Sequence, residues 1–371
     1  MSWIYRQFIR PVLFSRDSEA IHNQTMRILS RIGRSPDFCD ALRTLYGTPD
    51  LPVSTFGLNF PSPIGLAAGM DKQGEAVPVW ECLGFGFCEL GGITRYGQPG
   101  NPTPRMFRIT EKQALINRMG FNNPGAEVFS TALQAWKDRN QWPNHPVGIN
   151  LGKTKTTELG NAAEDYAASF HQLVGLADFF VINVSSPNTP NLRKLQDRKH
   201  LEEILKELQK ENRSFKKRTH STEKPILVKI SPDLSWNALD EILELIEDSG
   251  IQGIVATNTT VHREGEVSER TRDLYSQEGG LSGAPLASRS TEVIRHIYRQ
   301  TNGRLPIIGV GGVFSADDAW EKITSGATLV QIYTGLVYEG PSLLREIVRG
   351  LENKLEENGL EKIEDAVGIQ A

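Results

Sequence analysis

The sequence predicts an α/β fold: a parallel (β/α)8 barrel of the TIM type with an N-terminal helical extension. Eight short apolar runs recur along the 371-residue chain, and segments with helical periodicity lie between them. Alternation of strand and helix over that many repeats is typical of a barrel of about 250 residues or somewhat more. A doubly wound open sheet is the alternative, but the G-x-G-x-x-G motif that would follow its first strand is missing.

Each predicted strand is a run of apolar and β-favouring residues. The runs are residues 64–68, 87–91, 147–151, 179–184, 226–230, 253–257, 306–310 and 329–333. The helical period is clearest in residues 201–213, 236–250 and 290–303, and the last two segments end at a glycine suited to the C′ position. The basic and polar segment 213–224, which precedes predicted strand five, predicts a solvated surface loop on the other face, and we assign no function to it.

Three long segments follow predicted strands two, four and six. They are residues 92–123, 185–197 and 258–286, and they are rich in Asn, Ser and Gly without being of low complexity. Loops this long are usually functional or disordered. Because they all follow the carboxyl ends of strands, where barrel enzymes carry their active sites, we expect the chemistry at this end.

Composition excludes several classes of protein. The net charge of −4 and the pI near 6 give no sign of nucleic-acid binding. Cys39, Cys82 and Cys88 are too few and too irregularly spaced for a disulfide framework or a zinc site, and no metal site is predicted. No stretch approaches the ~20 apolar residues of a spanning helix, and no signal or transit peptide is recognisable. We therefore expect the protein on the cytoplasmic side of the cell membrane.

The N-terminal segment differs in charge from the rest of the chain. Residues 1–36 contain six arginines against Asp17 and Glu19, a local net charge of +4, whereas the remainder totals −8. Residues 2–10 combine aromatic and aliphatic side chains with arginines, and residues 18–33 place an apolar stripe on one helical face, formed by Ile21, Thr25, Ile28, Leu29 and Ile32. An ordinary helix docked on the barrel is one interpretation. Aromatics beside arginines favour an interfacial membrane anchor instead.

Polar side chains converge at the predicted strand ends. Four asparagines belong to this set, at positions 150, 183, 188 and 258. A single asparagine at a strand end is more often a turn or capping residue than a ligand, but four together suit a small planar molecule with alternating C=O and N–H groups. The glycine-rich residues 309–315 and 333–335 predict an anion site, although a tight turn also needs glycine.

A set of motifs resembles the dihydroorotate dehydrogenases, which are flavin barrels of pyrimidine synthesis. The motifs are AAGMDK (67–72), NRMGFNN (117–123), GINLGK (148–153), NVSSPNTPNLR (183–193), LVKISPD (227–233), ATNTT (256–260), GGLSG (279–283), IIGVGGV (307–313) and LVQIYT (329–334). The resemblance covers nearly the whole chain in order. The helical N-terminus is similar to that of class 2, the membrane-associated branch that reduces a quinone.

The resemblance implies a reaction and its residues. Dihydroorotate is oxidised to orotate as a hydride passes from C6 to FMN, and Ser186 matches the base that takes a proton from C5. Thr189 and Phe121 match a proton relay and its water gate. The implied substrate residues are Lys72, Asn117, Arg118, Met119, Gly120, Phe121, Asn183, Asn188, Asn258 and Thr259. The implied FMN residues are Ala68, Gly69, Met70, Asp71, Lys72, Gly92, Asn150, Asn183, Lys229, Thr257, Gly283, Gly312, Tyr333 and Thr334.

The resemblance also implies the electron acceptor. His22, Arg108 and Tyr333 match residues on the quinone side of the family's N-terminal tunnel. We accordingly expect a helical segment over residues 1–46, a catalytic barrel over residues 47–371, a membrane quinone as partner, and a monomeric peripheral membrane protein.

Two positions depart from the family pattern. Gly92 stands where Thr or Ser is usual, so a side-chain hydroxyl contact to the flavin is lost there. Asn191 replaces a frequent glycine, and because asparagine tolerates the left-handed backbone conformation, we expect the turn to be kept. A class 1-like enzyme with a soluble acceptor is the nearest rival, but that class uses cysteine where Ser186 stands. A non-catalytic flavoprotein scaffold is a second rival, although a scaffold has no use for a base.

Overall fold

The structure, a computed structural model, describes residues 2–263 and 265–371. Its strands, numbered along the chain, are β1 (Val53–Thr55), β2 (Leu58–Phe60), β3 (Ile64–Leu66), β4 (Phe87–Ile93), β5 (Tyr96–Gln98), β6 (Met106–Ile109), β7 (Ala114–Asn117), β8 (Asn123–Gly125), β9 (Val147–Leu151), β10 (Phe179–Asn183), β11 (Ile226–Ile230), β12 (Gly253–Ala256), β13 (Gly280–Gly283), β14 (Ile307–Val310) and β15 (Leu329–Ile332). The parallel strands close into a barrel in the order β3-β4-β9-β10-β11-β12-β14-β15. The predicted eight-stranded barrel is confirmed.

The described helices comprise four that precede the barrel in the sequence and others that alternate with its strands or follow the last one. They are α1 (Ser2–Ile4), α2 (Arg10–Phe14), α3 (Ser18–Gly33), α4 (Pro36–Tyr46), α5 (Val77–Cys82), α6 (Ala126–Asp138), α7 (Ala162–Leu173), α8 (Arg198–Thr219), α9 (Trp236–Ser249), α10 (Glu269–Tyr275), α11 (Ala287–Gln300), α12 (Ala316–Thr324), α13 (Thr334–Glu339) and α14 (Leu343–Asn358), with a π-helical turn at Tyr5–Ile9. The prediction of a loop over residues 213–224 is wrong for residues 213–219, which are helical. Helix α8 continues to Thr219 because Asn212 and Phe215 extend its buried stripe while the lysines stay on the solvent face.

Aromatic rings fill the amino-terminal end of the barrel. Phe60, Phe87 and Phe179 are fully buried and meet edge to face, with ring centroids 5.4 to 6.5 Å apart. Glycines make room for them, since an added Cβ at Gly65 would lie 2.3 Å from the Phe87 ring and one at Gly148 would lie 2.2 Å from the Phe179 ring. This end is therefore a packed plug.

Two of the long segments form a shared wall at the other end. Strand β6 pairs with β7, and β7 pairs with β13, both antiparallel, so that residues after strand two and residues after strand six of the barrel meet in one three-stranded sheet. This sheet stands beside the carboxyl ends of the barrel strands and closes one side of the space above them.

The N-terminal helices dock on this wall and on α13. The Tyr5 hydroxyl donates to the Val337 carbonyl at 2.8 Å, and Arg10 donates to the Tyr338 carbonyl at 3.0 Å. Trp3 and Phe8 remain 59% and 62% exposed, and Thr25 and Ile28 of the predicted stripe also face outward. Among the helices that the structure describes, none combines the length and the apolar character that crossing a membrane would require.

Candidate active site

A cavity opens at the carboxyl end of the barrel, where the sequence predicted the site. It contains about 1150 Å³ of empty space, part of it open to solvent. Its lining includes Ala68, Gly69, Lys72, Gly92, Asn117, Met119, Gly120, Phe121, Asn150, Asn183, Ser186, Asn188, Lys229, Thr257, Asn258, Thr259, Gly283, Gly312, Tyr333 and Thr334 from the predicted set. Residues that lie far apart in the sequence are thus brought to one place.

Three of the predicted substrate and FMN residues lie outside this lining: Met70, Asp71 and Arg118. The Asp71 carboxylate accepts hydrogen bonds from the Ala76 amide at 3.0 Å and from the Trp80 indole at 3.2 Å, so it fixes the turn before α5. The Arg118 guanidinium donates to the Gln277 side chain at 2.9 Å. The Asp71 and Arg118 side chains thus hold the loops around the cavity, and their contact with a ligand stays a prediction.

The asparagines form a hydrogen-bonded cluster. Asn183 donates to the Asn150 side chain at 3.0 Å and accepts from Asn258 at 3.2 Å. Asn188 donates to the Asn117 side chain at 3.1 Å, while its own Oδ1 is buried and has no partner within the described part of the chain. A buried acceptor without a partner is costly, so this oxygen is available to a ligand N–H group.

Ser186 lies in the loop that follows β10. It is 8% exposed, lines the cavity, and its Oγ accepts a hydrogen bond from the Asn188 amide at 3.3 Å. The neighbouring Thr189 hydroxyl is buried without a hydrogen-bond partner among the described residues. The loop thus combines one hydroxyl in the cavity with a second, unpaired hydroxyl three residues further on.

Arg193, which sequence reasoning missed, holds the same loop from behind. Its guanidinium donates to the Ser185 carbonyl at 3.2 Å, to the Asp233 carboxylate at 2.8 Å and to the Thr259 carbonyl at 3.2 Å. Asn191, whose φ is 59°, occupies the left-handed conformation expected at that position. The loop geometry is therefore fixed by one arginine that bridges three barrel segments.

Lys72 lines the same cavity as the asparagine cluster. No hydrogen bond or ion pair engages its ammonium within the described residues, and burial lowers its pKa to about 8. A partly buried ammonium without a partner gains free energy when an anion enters. Lys72 can thus pair with an anionic group that enters the cavity.

A second lysine belongs to a buried polar group inside the barrel. Lys229 lies 3.8 Å from the Glu89 carboxylate. That carboxylate also accepts from Asn150 at 2.5 Å and from Gln331 at 2.6 Å. Sequence reasoning did not single out Glu89 or Gln331, although a charged or amide residue inside an apolar strand was the available signal. Gln331 Oε1 is buried without a partner in the described chain, so this end of the cavity offers both acceptors and donors.

Glycines shape the far side of the cavity. Gly283, Gly311 and Gly312 have φ values of 99°, 135° and 72°, in the region where side chains are strained. A Cβ at Gly312 would lie 2.4 Å from Ala287 Cβ. The open backbone and the Thr334 side chain at the start of α13 form a cradle suited to an anion.

Gly92, one of the departures noted in the sequence, also has a steric reason. A Cβ at this position would lie 2.7 Å from the Phe121 ring, and one at Gly152 would lie 2.9 Å from the same ring. Phe121 therefore fills the space that a side chain at position 92 would need.

The three residues predicted on the electron-acceptor side belong to three parts of the molecule. Tyr333 lines the cavity, and burial raises its pKa to about 12. Arg108 donates to the Phe14 carbonyl at 3.1 Å and to the Arg16 carbonyl at 2.8 Å, which ties the turn before α3 to β6. Burial, assisted by the charge of Lys72, lowers the pKa of His22 to about 4. Arg108 and His22 thus lie outside the cavity lining, on the side of the N-terminal segment.

Comparison with known proteins gives concordant matches. A family model described as dihydroorotate dehydrogenase matches residues 50–355. A protein of Nostoc punctiforme named dihydroorotate dehydrogenase (quinone) is 50% identical over 380 residues, covering 99% of this chain and 98% of its own length. A protein of Gloeobacter violaceus with the same name is 49% identical over 367 residues and covers 98% of each chain. The solved structure of the Eimeria tenella enzyme DHODH in complex with ferulenol has a TM-score of 0.85 at 35% identity and covers 95% of both chains.

Proposed function

The chain belongs to the dihydroorotate dehydrogenase family, and we propose that it oxidises (S)-dihydroorotate to orotate in pyrimidine biosynthesis, with FMN as cofactor and a membrane quinone as acceptor. One observation carries this proposal. Ser186, the asparagine cluster and the unpaired Lys72 all face a single cavity at the carboxyl end of the barrel. A ring with C=O and N–H groups and one carboxylate matches that set of donors and acceptors.

The residues present fit FMN. The glycine cradle at Gly283, Gly311 and Gly312 would hold the phosphate, with Thr334 beside it. Lys229 and Gln331 would face the polar edge of the ring system, since both reach the cavity and Gln331 Oε1 lacks a partner in the described chain. When bound, FMN supplies the two-electron acceptor for the hydride from C6.

Ser186 supplies the second half of the oxidation. Its Oγ takes a proton from C5 as the hydride leaves C6, so that two hydrogens are lost and a C5=C6 double bond forms. A serine hydroxyl is a weak base, so the proton needs a relay, and we assign that role to the buried hydroxyl of Thr189, which has no hydrogen-bond partner among the described residues. Arg193 keeps the loop in place during this step.

Lys72 and the asparagines orient the substrate. Lys72 pairs with the carboxylate, and Asn117, Asn188 and Asn258 bond the ring edges, which holds C5 within reach of Ser186. Part of the substrate's binding free energy is thus used to orient C5 and C6 for the reaction.

Residues 1–46 are proposed to guide the quinone and to associate peripherally with the cytoplasmic face of the cell membrane. Trp3 and Phe8 expose apolar surface beside Arg6, the combination typical of interfacial helices. His22 belongs to this segment, Arg108 donates to its Phe14 carbonyl, and Tyr333 lines the cavity, so we assign these three residues to the side from which an acceptor would approach the cofactor. Residues 47–371 form the catalytic barrel, and the protein acts as a monomer.

Ser186→Ala provides the test of the base. The variant should retain FMN and bind orotate, yet its FMN should be reduced by dihydroorotate about 10²–10⁴-fold more slowly, because removal of a general base costs that much. Anaerobic stopped-flow absorbance measures the rate. Ser62→Ala is the matched control, a buried serine at the opposite end of the barrel whose Oγ accepts from the Ile64 amide at 3.3 Å. Reduction of Ser186→Ala at the control's rate would refute the assignment.

A further inference from the structure

Helix α3 of the N-terminal segment reaches the substrate side of the cavity through one ion pair. The Glu19 carboxylate accepts three contacts from the Arg105 guanidinium, at 3.1 and 3.0 Å from Nε and at 2.7 Å from Nη2. Both side chains are largely buried, with 14% and 10% exposed. A two-pronged pair of this kind fixes direction as well as distance.

From Arg105 the contacts continue into the barrel loops. Its Nη1 donates to the Pro99 carbonyl and to the Asn101 carbonyl, each at 2.7 Å. The Asn101 side chain then donates to the Asn188 carbonyl at 3.0 Å and to the Arg118 carbonyl at 3.0 Å. A chain of hydrogen bonds thus leads from α3 to the loop that carries Ser186, and to the strand end next to Asn117.

The same helix also sets the charge around Lys72. The charged groups that act on the pKa of Lys72 are Glu19 from α3 and Arg105 from the loop before β6, and Lys72 in turn acts on the pKa of His22 in α3. Burial lowers the pKa of Lys72 to about 8, the Glu19 carboxylate opposes that change, and the Arg105 charge adds to it. His22, with its pKa near 4, is neutral at physiological pH and adds no charge there.

We propose that Glu19 is a positioning residue for the substrate half of the reaction, because it holds Arg105, and through Asn101 the Asn188 loop, in the geometry that binds the substrate. This inference rests on the proposed function. It gives the N-terminal segment a role in substrate binding in addition to guiding the quinone. Deletion of residues 1–36 should therefore weaken orotate binding as well as quinone reduction, since Glu19 would be lost.

The test compares three variants and one control variant of the full-length holoprotein by isothermal calorimetry with orotate across pH 6.5–9.5. Glu19→Gln should bind orotate roughly tenfold more weakly, the loss expected when one hydrogen-bonded contact is misplaced. Its affinity should also begin to fall at lower pH than in wild type, because Lys72 loses a negative neighbour and deprotonates earlier. Glu19→Asp keeps the charge and should retain the wild-type pH midpoint.

Asn101→Ala distinguishes the effect of loop position on affinity from the effect of the Glu19 charge on Lys72. It interrupts the contact to the Asn188 carbonyl and leaves the Glu19–Arg105 pair intact, so affinity should fall roughly tenfold with the pH midpoint unchanged. Asp40→Asn is the control, since Asp40 lies in the same N-terminal segment but pairs with Arg43 at the exposed surface of α4. It should match wild type in both quantities.

The outcomes distinguish this inference from the proposed function. Wild-type affinity and wild-type pH midpoint in Glu19→Gln, together with wild-type affinity in Asn101→Ala, would overturn the inference alone. If Glu19→Gln does not fold, undiminished affinity in Asn101→Ala overturns it. A wild-type protein that binds no orotate at any pH would overturn the proposed function and this inference with it.

Discussion

The two ends of the barrel are built from the same strands but from different chemistry. Strands β4 and β10 begin with Phe87 and Phe179, whose rings pack together at the amino-terminal end with no exposure to solvent. At the other end β10 finishes with Asn183, which lines the cavity, while Glu89 marks the change within β4. A strand only five to seven residues long thus changes from an apolar to a polar environment along its length.

The aromatic end of the barrel contributes mainly to folding stability, whereas the polar end provides the groups that can bind a ligand. The aromatic end is filled by packed rings, and its glycines leave room for them. The polar end contains buried acceptors and a lysine without partners among the described residues, which cost free energy until a ligand meets them. Substitutions at the two ends should therefore affect different quantities.

The largest expected effect on stability is at the aromatic end. Phe179→Ala should lower the free energy of unfolding by about 3–5 kcal/mol, because it leaves a cavity among rings that are fully buried. The folded fraction should still reduce FMN at the wild-type rate, since the cavity residues are untouched. Urea unfolding and stopped-flow reduction measure the two quantities. Phe8→Ala, an exposed phenylalanine, is the control for stability. A selective loss of activity in Phe179→Ala would remove the distinction between the ends.

Lys72→Ala should weaken orotate binding by roughly 1.5–3 kcal/mol with little change in unfolding, because a charge-assisted contact is lost and a costly buried charge is removed. The pH dependence gives a second signature. Protonated Lys72 binds the carboxylate, so wild-type affinity should fall as the pH rises through the pKa near 8. In Lys72→Ala that decline should vanish. An unchanged pH profile in calorimetry would assign Lys72 to the cofactor or the fold.

The smallest effect on stability and binding is expected at Asn191, in the loop that follows β10. Asn191→Gly should change the free energy of unfolding by no more than about 1 kcal/mol, because glycine relieves the left-handed backbone at φ 59° but adds freedom to the unfolded chain. Orotate affinity should stay at the wild-type value. A marked loss of affinity would show that the Asn191 side chain, rather than its backbone, shapes the loop.

The barrel and most of its cavity follow from local patterns in the sequence. Apolar runs and helical periods located the strands, and motifs at the strand ends located Lys72, Ser186 and Asn258. The missed features depend on pairing between distant segments. The β6–β7–β13 wall joins residues more than 150 positions apart, and the contacts of Glu19 with Arg105 and of Arg193 with Asp233 have no periodic signature. The predicted end of helix α8 was too early. The basic composition of residues 213–219 indicated a loop, whereas the buried Asn212 and Phe215 continue the apolar face of the helix.

An anaerobic titration of the purified wild-type protein tests the central claim most directly. The protein should show a flavin absorbance spectrum, and added dihydroorotate should bleach it with one orotate formed for each flavin reduced. A quinone added afterwards should restore the absorbance. A flavin that stays oxidised in the presence of excess dihydroorotate would contradict the account, because the cavity would then hold the cofactor without performing the reaction that its residues are proposed to carry out.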